Sequence, residues 1–117
     1  MIDAGRMIET IKKHPDYHKA GMILVHNGVV RNSSRNGRAV ERLIVEPDRE
    51  RLVRILAMMK KKPGIIEISA EVSEGELKPG DDIMVVAVAG DIREHVFPVL
   101  QETIALIKKD VTKKTER

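Results

Sequence analysis

The sequence predicts an α+β fold in which helices pack on a largely antiparallel sheet. Two observations carry this prediction: short apolar or alternating segments typical of strands, and segments whose apolar residues recur at helical spacing. These elements follow the order α-β-β-α-β-β-α, which favours an α+β arrangement. The chain has 117 residues without a linker or an internal repeat, so one domain over residues 1–117 is expected.

The first half of the chain is predicted to contain two helices and two strands. Its elements are a short helix between Asp3 and Pro15, strands at Gly21–Val30 and Val40–Glu46, and a helix that follows Asp48 and stops at Lys60–Gly64. Aspartate is a residue type that caps helix N-termini, which explains where both helices begin. Apolar residues from Leu52 to Met59 recur at helical spacing, and a cationic turn precedes the Pro-Gly stop.

The second half is predicted to contain two strands, a turn and a long helix. Its elements are a strand at Ile66–Val72, a β-turn at Lys78–Asp81, a central strand at Ile83–Ala89, a helix from Asp91 to Val111 and a polar tail at Lys113–Arg117. The first strand alternates apolar with polar residues, whereas the central strand is unbroken apolar. Pro98 should kink the helix or displace its start, because an interior proline costs ~3 kcal/mol.

Composition argues against several classes of function. The chain has one Phe, one Tyr and no Trp, so its core must be aliphatic, and it lacks the aromatic side chains on which single-stranded nucleic acids stack. A net charge of +3 is too small on its own to indicate a nucleic-acid partner. No apolar run approaches the ~20 residues of a membrane span, and neither a signal peptide nor a cysteine is present. A cytoplasmic protein is therefore expected.

The stretch Arg31–Arg42 is the most informative one for function. Its first part, Arg31–Arg38, follows one apolar run and contains three arginines among small polar residues, and the apolar run that comes next carries Arg42. Guanidinium groups match phosphate and carboxylate oxygens bidentately, so a loop of this composition between two strands would place anion binders on the rim of a sheet. A solvated hairpin loop, whose arginines serve only solubility, explains the pattern about equally well.

A second candidate site is cationic and lies near the C-terminus. Its residues are Lys108, Lys109, Lys113 and Lys114. A lysine among other cations has a lowered pKa, so it can hold an anionic tail and move protons near neutral pH. The pattern alone favours the alternative that these cations complement the dipole of the last helix. At the start of that helix, Arg93 is either an anion binder or a salt-bridge partner of Asp91 or Glu94.

The four histidines do not form a predicted metal site. His14 and His18 are four residues apart, but Pro15 interrupts the helix that this spacing requires, so neither a metal nor a cofactor is expected. His26 and His95 could face the arginine segment, although an ordinary, partly buried histidine is the more common outcome.

Several short motifs occur in an order that resembles one known family. They are the glycine-x-valine-arginine of Gly28–Arg31, the glycine-rich turn of Gly75–Asp81, the pair Arg93 and Phe97 at the head of the last helix, the helix lysine Lys108 and the lysine–glutamate ending of Lys113–Glu116. In this order they resemble the large, catalytic subunit of molybdopterin synthase, from about Gly21 to Glu116. The resemblance implies that family's fold, of the α/β hammerhead type.

The resemblance also implies partners and a reaction. Large subunits of the family form a homodimer within a heterotetramer, and each binds a small ubiquitin-like sulfur-carrier subunit whose C-terminal glycine thiocarboxylate enters a pocket. Sulfur passes twice to cyclic pyranopterin monophosphate, which yields the dithiolene of molybdopterin during molybdenum cofactor biosynthesis. The chain would then be a sulfurtransferase, without nucleic acid or a membrane as a partner.

The site residues follow from the same resemblance. Lys108 is expected to hold the anionic tail and shuttle protons, and Lys114 is the preferred second catalytic lysine. The expected substrate-binding residues are Arg31, Arg38, Arg93, His95 and Lys113. Cationic side chains far apart in the sequence, such as Arg31, Arg93 and Lys108, are expected to converge in one cleft.

Three departures from the family pattern leave alternatives open. Ile92 stands where the family usually has a histidine, His26 where an aromatic is common, and Val111–Lys113 where a proline–aromatic–tryptophan stretch is usual. A non-catalytic paralogue that binds the ubiquitin-like partner or a phosphorylated pterin is therefore the second hypothesis. A small basic nucleic-acid binder is the third, and the low net charge and few aromatics oppose it.

Overall fold

The computed structural model describes residues 2–117, and their elements confirm an α+β fold. The helices are Ala4–Lys12 (α1), Arg49–Lys60 (α2) and Arg93–Asp110 (α3), and Tyr17–Lys19 forms a 3₁₀ turn. The strands are Met22–Val29 (β1), Leu43–Pro47 (β2), Ile65–Val72 (β3), Gly75–Leu77 (β4), Asp82–Gly90 (β5) and Thr112–Glu116 (β6). No helix within residues 2–117 has both the length and the apolar character needed to cross a membrane.

The strands form two antiparallel sheets. In the first, β5 lies between β1 and β3, and in the second, β2 lies between β4 and β6. The central position predicted for Ile83–Ala89 is confirmed, since β5 is buried from Met84 to Gly90. Alternate residues of β5 face different clusters: Val86 and Val88 join the main core, while Ala87 and Ala89 pack beside α1. The first sheet is therefore covered on both faces.

The main core is aliphatic and joins the second sheet to the first. Side chains from α2, α3, β2, β3 and β5 meet in it, including the fully buried Val45, Met59, Val96 and Ile107. Within this arrangement α3 packs on β1 and β5, and the strand that follows it is held by pairing with β2.

Two expectations about connections are wrong. The arginine segment does not join two strands of one sheet, because β1 pairs with β5 whereas β2, which starts at Leu43 rather than Val40, pairs with β4 and β6. The polar tail expected at Lys113–Arg117 is mostly strand β6, because its backbone pairs with β2 from Leu43 to Pro47. A strand of such polar composition forms through pairing rather than through its own apolar pattern.

The start of α3 also differs from expectation. Ile92, not Asp91, occupies the N-cap position, while the Asp91 carboxylate accepts a hydrogen bond from the Ile92 N–H at 2.7 Å. The helix begins at Arg93 and continues through Pro98, so proline has not displaced its start. Pro98 is in the second turn, where its missing N–H removes a single helical hydrogen bond.

Substitution of Gly64 should destabilise the corner between α2 and β3. Gly64 has φ of 78°, and a Cβ there would collide with the side chains of Asp91 and His95, whereas Gly80 has φ of 95° and open space around it. A left-handed conformation costs a non-glycine residue ~1–2 kcal/mol, so Gly80→Ala should show that cost alone. Gly64→Ala should lower the free energy of unfolding by about 1–3 kcal/mol more than Gly80→Ala does, because of overpacking. Urea unfolding measures the stability of both variants, and equal losses of stability would contradict the packing role of Gly64.

Candidate functional site

A cavity of about 890 Å³ opens where the two sheets meet. Its walls come from the end of β1 and the segment after it, the starts of β2 and β5, the end of α3 and strand β6. Four apolar side chains on its wall are buried, namely Val30, Val40, Leu43 and Met84. Four cationic side chains share the same wall, namely Arg31, Arg35, Lys108 and Lys114. The cavity therefore combines an apolar surface with positive charge.

The segment after β1 holds its shape through its own backbone. The Ser34 N–H donates to the Arg38 carbonyl at 2.8 Å, and Gly37, with φ of 83°, donates to the Ser34 carbonyl at 3.0 Å. At the base of the loop, the Val30 N–H donates to the Asp81 carbonyl at 2.9 Å. The loop thus has a defined path that brings two of its three arginines to the cavity.

The structure separates the predicted arginines from one another. Arg31 lines the cavity as expected, whereas Arg38, from the same loop, does not. Arg35 does line it, although the sequence analysis did not select it as a binding residue. All three belong to one arginine-rich segment, but a loop has no fixed side-chain period, so the sequence could not indicate which of them point inward.

Strand register explains why Lys114 enters the cavity and Lys113 does not. Lys114 is opposite Val45, which is fully buried, while Lys113 is opposite the exposed Glu46. Residues directly opposite in an antiparallel pair share a face, so successive residues of β6 point in opposite directions. Lys113 instead borders a separate shallow depression, beside Lys109. Lys114 therefore shares the cavity wall with Lys108, whereas Lys113 does not.

Two groups on the cavity wall have shifted pKa values. Burial lowers the pKa of the Lys114 ammonium from its ordinary 10.5, and the charges of Lys108 and Arg35 lower it further, while Glu116 opposes the shift. Burial, followed by the charge of Lys108, lowers the pKa of the His26 imidazole from 6.5. Glu116 is the single carboxylate on this wall among residues 2–117, so positive charge there is not balanced.

Arg93 and His95 lie at the opposite end of α3 and do not line the cavity. At a rise of ~1.5 Å per residue, the fifteen positions from Arg93 to Lys108 span about 22 Å. Arg93 Nε lies 3.7 Å from Glu94 Oε2, and its side chain is 81% exposed. The expectation that Arg31, Arg93 and Lys108 converge in one cleft is therefore wrong for Arg93 within a single chain.

His95 is engaged at that end of the helix by an acidic neighbour. Its Nδ1 lies 2.8 Å from Asp91 Oδ1, and this hydrogen bond lowers the pKa of the Asp91 carboxyl below its ordinary value. The ring also lies against Gly64, at the corner between α2 and β3. Within one chain, His95 therefore contributes to this corner rather than to the cavity.

Comparison with known families decides what kind of protein carries this cavity. The sequence matches the family model described as "MoaE protein" over residues 1–110. The chain belongs to the MoaE family. MoaE proteins are large subunits of molybdopterin synthase, so the chain has the large-subunit role in molybdenum cofactor biosynthesis. Strand β6, and Lys114 with it, follow the matched region.

Solved MoaE structures share the whole fold. Molybdopterin synthase from Staphylococcus aureus superposes with a TM-score of 0.81 at 25% identity, covering 99% of this chain and 85% of that one. Molybdopterin cofactor biosynthesis protein E from Burkholderia multivorans gives 0.78 at 20% identity, with coverage of 98% and 82%. A complex of subunits 1 and 2 of molybdopterin-converting factor from Helicobacter pylori gives 0.73 at 16%, with coverage of 98% and 78%. Comparison with curated proteins gave no match.

The charge of Lys114, which Glu116 only partly offsets, should lower stability. Because the pKa of Lys114 in the folded protein is below its ordinary value, the protonated amine lowers the free energy of unfolding at every pH below that folded-state pKa. This loss of stability disappears above pH 10.5, where the amine is neutral in both the folded and the unfolded protein. Lys114→Met should therefore raise the thermal midpoint at pH 7, and the gain should shrink at alkaline pH. Lys113→Met, on the exposed face of β6, should change stability by less than about 0.5 kcal/mol.

The change in stability on adding phosphate is a second measure of the effect of the Lys114 charge. Phosphate should stabilise the wild-type protein more than Lys114→Met, because the anion offsets the charge that this variant lacks. A Lys114→Met protein that is less stable than wild type at pH 7 would contradict the charge argument.

Proposed function

We propose that this chain catalyses the sulfur transfer of molybdopterin synthase. The donor would be the C-terminal thiocarboxylate of a small ubiquitin-like subunit, and the acceptor cyclic pyranopterin monophosphate. The observation that carries this proposal is the cavity in which Arg31, Arg35, Lys108 and Lys114 adjoin an apolar wall. Both reactants suit it, since one carries a phosphate and the other ends in an anion. Membership of the MoaE family supports the assignment.

In this proposal the two arginines and the two lysines have different tasks. Arg31 and Arg35 bind the substrate phosphate, for which planar guanidinium groups are suited. Lys108 binds the thiocarboxylate, and Lys114 adds a second positive charge where anionic oxygen or sulfur develops. The thiocarboxylate sulfur displaces an oxygen from a side-chain carbon of the pterin, so a carbon–sulfur bond forms as a carbon–oxygen bond breaks. The oxygen leaves with its electron pair and takes a proton from a lysine or from water, and the product is a thioester that joins the partner to the pterin. Water then adds to the acyl carbon and the carbon–sulfur bond breaks, which leaves sulfur on the pterin and a carboxylate on the partner.

The partner and the assembly are part of the proposal. The Helicobacter pylori neighbour is a complex of two subunits, which supports a small partner subunit for this chain. We also propose a homodimer, located in the cytoplasm, in which Arg93 and His95 of one copy reach the cavity of the other. Exposed apolar side chains beside Arg93 support such a contact, since Ile92 is 49% and Phe97 53% exposed.

Substitution of Lys108 should abolish dithiolene formation while leaving folding and partner binding intact. Removing a group that binds developing charge and moves protons lowers rates by ~10²–10⁴-fold, so Lys108→Ala should lose at least about 100-fold in product formation. Lys109→Ala is the matched control, because Lys109 follows Lys108 in the helix but its side chain borders the separate depression instead of the cavity. The assay supplies thiocarboxylated partner and cyclic pterin, and follows the dithiolene product. Wild-type turnover by Lys108→Ala would remove the proposed role, and an inactive wild type would favour the non-catalytic alternative.

A mixture of two inactive variants should test the proposed dimer. If Arg93 acts in the neighbouring cavity, then Arg93→Ala and Lys108→Ala homodimers each lack a complete site, whereas a heterodimer keeps one cavity with both residues. Random mixing should therefore restore about a quarter of the wild-type activity. If Arg93 acts within its own chain, every cavity of the heterodimer lacks one residue, and the mixture should stay as inactive as its components.

A further inference from the structure

Among the basic side chains on the cavity wall, His26 is the one whose ordinary pKa, 6.5, lies below neutrality. It lies on β1 opposite Val86, and its Nε2 is 3.3 Å from the point where a Cβ on Gly28 would be. Residues two apart on a strand share a face, so this glycine leaves space above the ring on the cavity side. Within residues 2–117 neither ring nitrogen has a hydrogen-bond partner, whereas His95 is bonded to Asp91.

The groups around His26 favour its neutral form. The charged side chains that share the cavity wall with it are Lys108 of α3, Lys114 and Glu116 of β6, and Arg31 and Arg35 of the loop. Four of these five carry positive charge. Burial and the charge of Lys108 lower the pKa of the imidazole, so at neutral pH it holds a free lone pair. A protonated lysine or an arginine cannot accept a proton, whereas this histidine can.

We propose that His26 is the general base for the hydrolytic half of the sulfur transfer, an assignment that rests on the function proposed above. A water molecule at the acyl carbon of the thioester gives one proton to His26 Nε2 while its oxygen bonds to that carbon. The carbon–sulfur bond breaks, and its electron pair leaves with the sulfur as a thiolate beside the Lys108 ammonium. The partner's terminus leaves as a carboxylic acid, which ionises to solvent. Repulsion by Lys108 then helps the imidazolium return its proton to solvent.

The test separates formation of the thioester from its hydrolysis. Purified protein is mixed with thiocarboxylated partner and cyclic pterin under single-turnover conditions, and intact-mass spectrometry follows the covalent partner–pterin adduct. In His26→Phe and His26→Gln the adduct should form at the wild-type rate and accumulate, because hydrolysis should slow by ~10²–10⁴-fold. His18→Phe, at an exposed histidine of the 3₁₀ turn, is the control and should hydrolyse the adduct normally.

Two further readouts exclude a merely structural effect. The wild-type hydrolysis rate should fall on the acid side at a pH below 6.5, as His26 becomes protonated, and both variants should lack this acid limb. Added imidazole should restore hydrolysis in His26→Gly, where it can occupy the vacated space. Unchanged hydrolysis and an unchanged pH profile in both His26→Phe and His26→Gln, with an active wild type, would overturn this assignment alone. A wild type that forms neither adduct nor product would overturn the proposed function and this assignment with it.

Discussion

The pairing of β6 with β2 is the constraint on which the cavity depends. Val111 is the single residue between the end of α3 and the start of β6, and the two elements contact each other. The last turn of the helix and the strand after it consequently contribute to one wall, which brings Lys108 and Lys114 together. Two backbone hydrogen bonds just after β6 fix the register. The Arg117 N–H donates to the Arg42 carbonyl at 2.9 Å, and the Arg42 N–H donates to the Arg117 carbonyl at 3.0 Å. A shift by one residue would exchange Lys114 for Lys113.

Concentrating positive charge in this way opposes folding, and that opposition indicates a ligand. Partial desolvation in the cavity lowers the pKa of Lys114, and the like charges of Lys108 and Arg35 lower it further, although all three side chains keep contact with solvent. Surface lysines placed for solubility alone would spread apart instead. A site that is unfavourable when empty and relaxed when an anion enters gains binding affinity from the relief of that repulsion. Proteins commonly depart from optimal stability at functional sites in this manner.

The sequence predicted those parts of the fold that have a strong apolar period. The continuous apolar run of β5 indicated a central strand, and the helical spacing of apolar residues identified α2 and α3. Strand β6 has the composition Thr-Lys-Lys-Thr-Glu, which carries no such period, so its structure arises from long-range pairing. The inward direction of Arg35 depends on the turn at Gly37 and on the anchoring of the loop to the Lys78–Asp81 turn, neither of which a sequence period encodes.

The separation of Arg93 from Lys108 was, by contrast, already contained in the sequence. A helix predicted from Asp91 to Val111 has its two ends about 30 Å apart, and Arg93 and Lys108 within it are about 22 Å apart. One cavity cannot receive both ends of a rigid helix, so any joint action of Arg93 and Lys108 requires a second copy of the chain. The exposed Ile92 and Phe97 beside Arg93 supply apolar surface for such a contact, since side chains of this size gain free energy when another surface covers them. Helix length, more than charge pattern, therefore determines how the site can be assembled.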